Sequence, residues 1–239
     1  MRLILLGHII GDFYVQTDKM VEKKKNLIKY MLMHCLIYTF VMGIGFYILY
    51  KGFVKTLIIS GFIFVSHLIV DLLKCKCDKK AVQYEYWFFL IDQALHIVVL
   101  LLSFYIVKQQ ADVQMENELM INGTNVRNCI VVVSAALVCW KPAAVFVSLV
   151  FKIIPENENI ETEGAKIGSW IGILEREIIL MLGLFGQFDA IGFVLAAKSL
   201  ARFKQLENKS FAEKYLVGTL LSACIAIVCI AICKLDGFN

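Results

Sequence analysis

FVKTLIISGFIFVSHLIVDLL, residues Phe53 to Leu73, decides how the rest of the chain is read. At about 20 residues the run is long and apolar enough to cross the hydrocarbon core of a bilayer as a helix. Near its end an imidazole, His67, and a carboxylate, Asp71, stand four residues apart. That spacing puts them on one helix face, about 6 Å from each other. Ionisable side chains are costly inside a membrane segment and mark function by default. Working outward from this run, the pairing recurs. His8 and Asp12 have the same spacing and order, and Asp92 and His96 have the same spacing in reverse. The remaining histidine, His34, also stands in an apolar run.

The chain around these pairs supports a membrane reading. Of 239 residues, 59% are hydrophobic and mean hydropathy is +0.73, whereas soluble domains are about half apolar or less. Apolar runs at 3–17, 27–50, 53–73, 86–107, 128–154, 167–184, 190–203 and 215–234 predict an all-α polytopic transmembrane helix bundle of about eight membrane segments. They lack the alternation of barrel strands. The first and seventh are short, and are expected to be tilted or re-entrant. The first carries His8, Asp12 and Gln16 with no cleavage site after it, so it does not read as a secretory signal. Lys141-Pro142 should kink or split the fifth segment. The polar stretch 109–126 reads as a linker between a four-segment half, 1–108, and a second helical half, 127–239. A net charge of +4 is modest. The lipid bilayer is the expected partner, and nucleic acid is not.

Lysine and arginine fix the orientation. With the N-terminus outside, the basic stretches at 18–29, 74–80 and 198–214 all fall on the cytosolic side, as the positive-inside rule requires of a multi-pass cell-membrane protein. The first and third segments then run inward and the fourth outward. His-before-Asp in the former and Asp-before-His in the latter place every aspartate shallow and every paired histidine one turn deeper. His34, near the cytosolic start of the second segment, falls at the histidine level. Six of the eight cysteines lie in apolar runs, where a free thiol packs as a small hydrophobe. Cys75 and Cys77 form Cys-x-Cys in a basic stretch, without a second pair to complete a tetrahedral site. They read as reduced cytosolic thiols.

Neutral imidazole and carboxylate are the ligands of zinc, manganese and iron. A bundle core is a known place to assemble them. His8, Asp12, His34, His67, Asp71, Asp92 and His96 are therefore candidate ligands of a divalent metal ion. Seven groups exceed one tetrahedral shell, so they suit two metals, or one metal with carboxylates orienting its imidazoles. Metal-activated water for hydrolysis is then the simplest reaction. Asp12, Asp71 or Asp92, or a metal-bound water, would be the catalytic base, with Gln16 and Gln93 positioning water or substrate. Two other readings compete: a proton or ion relay in a transporter, and interhelical hydrogen bonds in a non-catalytic scaffold, worth only about 0.6 kcal/mol each.

The second half offers a different set. Glu175, Arg176 and Glu177 interrupt the sixth segment, and Lys198 and Arg202 stand four apart in the seventh. Glu175, Arg176, Lys198 and Arg202 could hold a lipid-linked or phosphate-bearing substrate. Equally, they could pair with one another or snorkel to the interface. Gly168 and Gly172 predict a close helix contact.

Through His8-Ile-Ile-Gly-Asp12-Phe-Tyr-Val-Gln16, His34, His67-Leu-Ile-Val-Asp71 and Asp92-Gln93-Ala-Leu-His96, the chain resembles a bacterial integral-membrane family catalogued as domain of unknown function 3307. Its second half resembles the longer members through Gly172-Ile-Leu-Glu175-Arg176 and the run from Ala190 to Phe203. The resemblance implies a bacterial inner-membrane protein and supplies no reaction, so the metal reading rests on the residues themselves.

Overall fold

The computed structural model describes residues 1–80, 84–108, 120–121, 124–153 and 162–237. Most of the predicted linker and most of the acidic stretch after Pro155 lie outside the described residues. Helices α1 (Arg2–Ile9), α2 (Asp18–Lys24), α3 (Ile28–Tyr50), α4 (Phe53–Lys80), α5 (Glu85–Lys108), α6 (Val126–Phe151), α7 (Thr162–Leu184), α8 (Phe188–Ala201) and α9 (Lys209–Leu235) follow in order. A two-residue ladder, Met120–Ile121 with Thr124–Asn125, precedes α6. Among the described residues, α3, α4, α5, α6 and α9 are long and apolar enough to cross a bilayer, consistent with a multi-pass membrane protein. Helices α1 and α8 have only 8 and 14 residues.

The basic stretch after the first segment is not all loop. Thr17 caps it by accepting from the Met20 amide at 3.3 Å, and Lys23 and Lys24 close its last turn, where cations meet the negative end of the helix dipole. The chain turns from α3 into α4 over Lys51-Gly52, with Lys51 in the left-handed region at φ 49°. So short a turn makes the two helices antiparallel neighbours.

The chain falls into two compact units, Met1–Ser134 and Ala135–Asn239. In the first, α3 packs on α1, α2 and α4, and α5 packs on α4. Their apolar faces meet in a core of Ile4, Tyr38, Met42, Phe46, Leu49, Ile59, Ile63, Leu100 and Val107. On α3 this core runs toward the C-terminal end and on α4 toward the N-terminal end, so it fills the end of the unit that holds the α3–α4 turn.

In the second unit α7 packs on α8 and α9. The expected contact through Gly168 and Gly172 is not how α7 docks. Among the described residues no atom from elsewhere lies within 4 Å of a Cβ built on Gly168, and Gly172 makes room for the Arg176 side chain. The tight approach is at Gly183, where a Cβ would overlap the Ile230 side chain. Pro142 does not split the fifth segment, since α6 runs through it unbroken. Arg176 Nε donates a 2.6 Å hydrogen bond to the Cys139 carbonyl, three residues before the proline.

Candidate functional site

The first unit gathers all seven predicted ligands at the end away from the α3–α4 turn. Each element supplies them by helical spacing: His34 from α3, His67 and Asp71 from α4, Asp92 and His96 from α5. His8 comes from α1, and Asp12 from the π-helical turn Ile10–Tyr14 that continues it. Such turns are rare and concentrate at functional sites. Gly11 lets this turn lie against α3, since a Cβ there would be 3.0 Å from Tyr38 Cδ2. None of the seven is more than 6% exposed, so their polar atoms need partners within the protein or from a ligand.

Imidazoles meet imidazoles. His67 Nε2 lies 3.1 Å from His34 Nε2, and His67 Nδ1 lies 3.3 Å from His96 Nδ1. The His67 ring stacks on Tyr38 at 3.8 Å between centroids. His8 Nδ1 is 3.0 Å from the Tyr38 hydroxyl, and its Nε2 is 3.2 Å from Gln93 Oε1. Because the Gln93 oxygen only accepts, Nε2 of His8 carries the proton and Nδ1 accepts from Tyr38. The Gln93 amide donates to Asp12 at 2.9 Å and to Asp92 at 3.2 Å. Gln93 thus ties three of the ligands together. Gln16 donates instead to the Asp12 carbonyl.

The aspartates face cations. Lys24 Nζ is 3.1 Å from Asp71 Oδ2, and Lys74 Nζ is 2.6 Å from Asp92 Oδ2. Burial works against charge on Lys24, but Asp71 and then Asp12 outweigh it and hold its pKa above the ordinary lysine value. Inward, His34 Nε2 lies 3.3 Å from Asp12 Oδ1 and 3.6 Å from Asp71 Oδ2. His96 Nε2 lies 3.4 Å from Asp92 Oδ1 and 3.7 Å from Asp71 Oδ1. The imidazole and carboxylate layers therefore interlock at His34 and His96.

Asp92 Oδ1 and His96 Nε2 are buried and make no hydrogen bond, although they face each other. A buried ring nitrogen and a carboxylate oxygen left without a hydrogen bond are compatible with a role as metal ligands. Asp12 joins them in a triad whose ligand atoms all lie within 4.8 Å of one another, and Asp12, His34, His67 and Cys35, His67, Asp71 form two more. These buried His, Asp and Cys groups could hold a metal ion.

Sequence reasoning missed Cys35, Tyr38, Lys24 and Lys74. A signal existed for two of them. Cys35 adjoins His34, and Tyr38 follows it by one turn. The lysines had none, since their partners lie 47 and 18 residues away.

The candidates of the second half find partners inside their own unit. Lys198 Nζ donates to Glu175 at 2.5 Å and to Thr219 at 3.0 Å. Arg176 donates to the Cys139 carbonyl and, at 3.2 Å, to Ser222. Arg202 lies over the Phe211 ring, beside a cleft lined by residues 200–205.

No curated protein and no solved structure matches the chain. A family model described as a protein of unknown function, DUF3307, matches residues 1–122, which hold the whole His/Asp cluster, and the chain belongs to that family.

Proposed function

We propose that the chain is a membrane-embedded, metal-dependent hydrolase of the bacterial inner membrane, working from the cytosolic side on a lipid-linked or phosphate-bearing substrate. The observation that carries this reading is the convergence of seven buried ionisable groups from distant elements into overlapping metal-compatible triads. Zinc, manganese and iron suit the donor set. A divalent ion held there would lower the pKa of a water to about 7 and polarise a phosphoryl oxygen. Around it, a carboxylate of Asp12, Asp71 or Asp92 takes the proton of the attacking water. Gln93 fixes His8, Asp12 and Asp92 in place. In the second unit, Arg202 and Lys204 line one cleft and are cations able to take an anionic group. About eight membrane segments, with α1 and α8 entering only part of the bilayer, fit this arrangement.

Metal analysis of detergent-purified protein tests the reading, with His67→Ala and Asp92→Ala alongside. Stoichiometric metal in the wild type, reduced in both variants, is expected. Wild type without it removes the basis for an enzyme.

One observation favours a second reading. The contacts His34–His67–His96 form a continuous imidazole chain, as a proton relay would use. Against it, the apolar core seals the other end of the unit. A proton flux in proteoliposomes that vanishes in His67→Ala would favour the relay.

A further inference from the structure

We infer that the cluster is a two-metal centre, and that Cys35 is a ligand of one of the two ions. The inference rests on the metal reading above and deepens it. Of the three triads, Cys35–His67–Asp71 and Asp12–Asp92–His96 share no residue. The third, Asp12–His34–His67, borrows one member from each. Two ions can therefore be held at once, with His34 between them, and a third cannot. Each triad offers three protein ligands, the number that a catalytic rather than a structural zinc uses.

Cys35 is fully buried among these groups and bonded to no other cysteine. A thiol beside an imidazole and a carboxylate is a softer donor set than the Asp–Asp–His site. The Cys35 site should prefer zinc or cobalt, and the other should also accept manganese. On binding, the thiol gives up its proton to solvent and the thiolate bonds the ion.

Charge supports the count. Three carboxylates and one thiolate carry four negative charges, which two divalent ions neutralise. Lys24 and Lys74, already seated on Asp71 and Asp92, then leave an excess of two positive charges. That suits a phosphoryl dianion and would repel a cationic substrate.

Cobalt(II) loading of the full chain, purified in detergent without oxygen, tests the inference. Cys75 and Cys77 are changed to serine so that they add no thiolate signal. Elemental analysis should give about two cobalt ions per chain, with a thiolate-to-cobalt absorption band in the near ultraviolet. Cys35→Ser should halve the cobalt and abolish the band, whereas Asp92→Asn should halve the cobalt and keep the band. About one ion per chain, with or without the band, overturns the two-metal inference and leaves a metal centre standing. No bound cobalt overturns both. The parent protein's own stoichiometry and spectrum decide the question even where a variant fails to fold.

Discussion

Lys24 and Lys74 make the buried carboxylates tolerable to the fold by pairing with Asp71 and Asp92. An unpaired carboxylate in a buried site is costly, and removing one partner of a buried ion pair costs about 3–5 kcal/mol. Lys24→Met should therefore lower the thermal midpoint in detergent, and divalent metal should restore more stability to this variant than to the wild type. Thermal unfolding with and without metal checks both. The pH dependence has a definite sign. The pKa of Lys24 is raised above its ordinary 10.5, so the pair's contribution is complete below that value and is lost as pH climbs through the folded pKa. The midpoint difference between wild type and Lys24→Met should stay constant from about pH 6 to 9 and shrink in stronger alkali. The three His/Asp pairs of the cluster were legible because a helix repeats every 3.6 residues, so spacing alone put each paired His and its Asp on one face. Lys24 and Lys74 were not. What they bond is decided by how elements pack, and their sequence surroundings read only as a solvated basic stretch.

At the scale of elements, the sequence showed the long apolar helices but not the short polar one. Helix α2 has no hydrophobic period, and only Thr17-Asp18 marked its start. Because α2 carries Lys24 to Asp71, its cap bears on the site. Thr17→Ala should cost about 1 kcal/mol of local stability and raise amide exchange across 18–24, with metal affinity falling in parallel. Pro142 removes one N–H from α6, yet the helix continues through it, and the sequence alone does not show that Arg176 arrives from α7 to bond the Cys139 carbonyl nearby. Gly183 was likewise unreadable as a contact, since nothing in α7 reveals that Ile230 of α9 lies against it. Gly183→Ala should destabilise by about 1–3 kcal/mol through overpacking. Ile230→Ala in the same chain should relieve most of that loss, a coupling that a double-mutant cycle measures directly.

At the scale of the whole molecule, the polarity of the first unit decides which side its site serves. The ligands, Lys24 and Lys74 share one end, and Phe46, Leu49, Ile59 and Ile63 fill the other. A charge at the bilayer centre costs about 3 kcal/mol or more, so a cluster this dense in carboxylate is best kept near one interface. By the positive-inside rule, the lysine-rich stretches at that end are expected to face the cytosol. Cys77 reports on this directly. It is exposed and lies about 9 Å beyond Asp71 along α4. In a chain whose other cysteines are replaced, a membrane-impermeant maleimide should label Cys77 in inverted vesicles and spare it in right-side-out ones. Lys51→Cys, at the exposed α3–α4 turn, should give the opposite pattern. Labelling of Cys77 from outside would turn the site toward the exterior, and with it would go a substrate drawn from the cytosol.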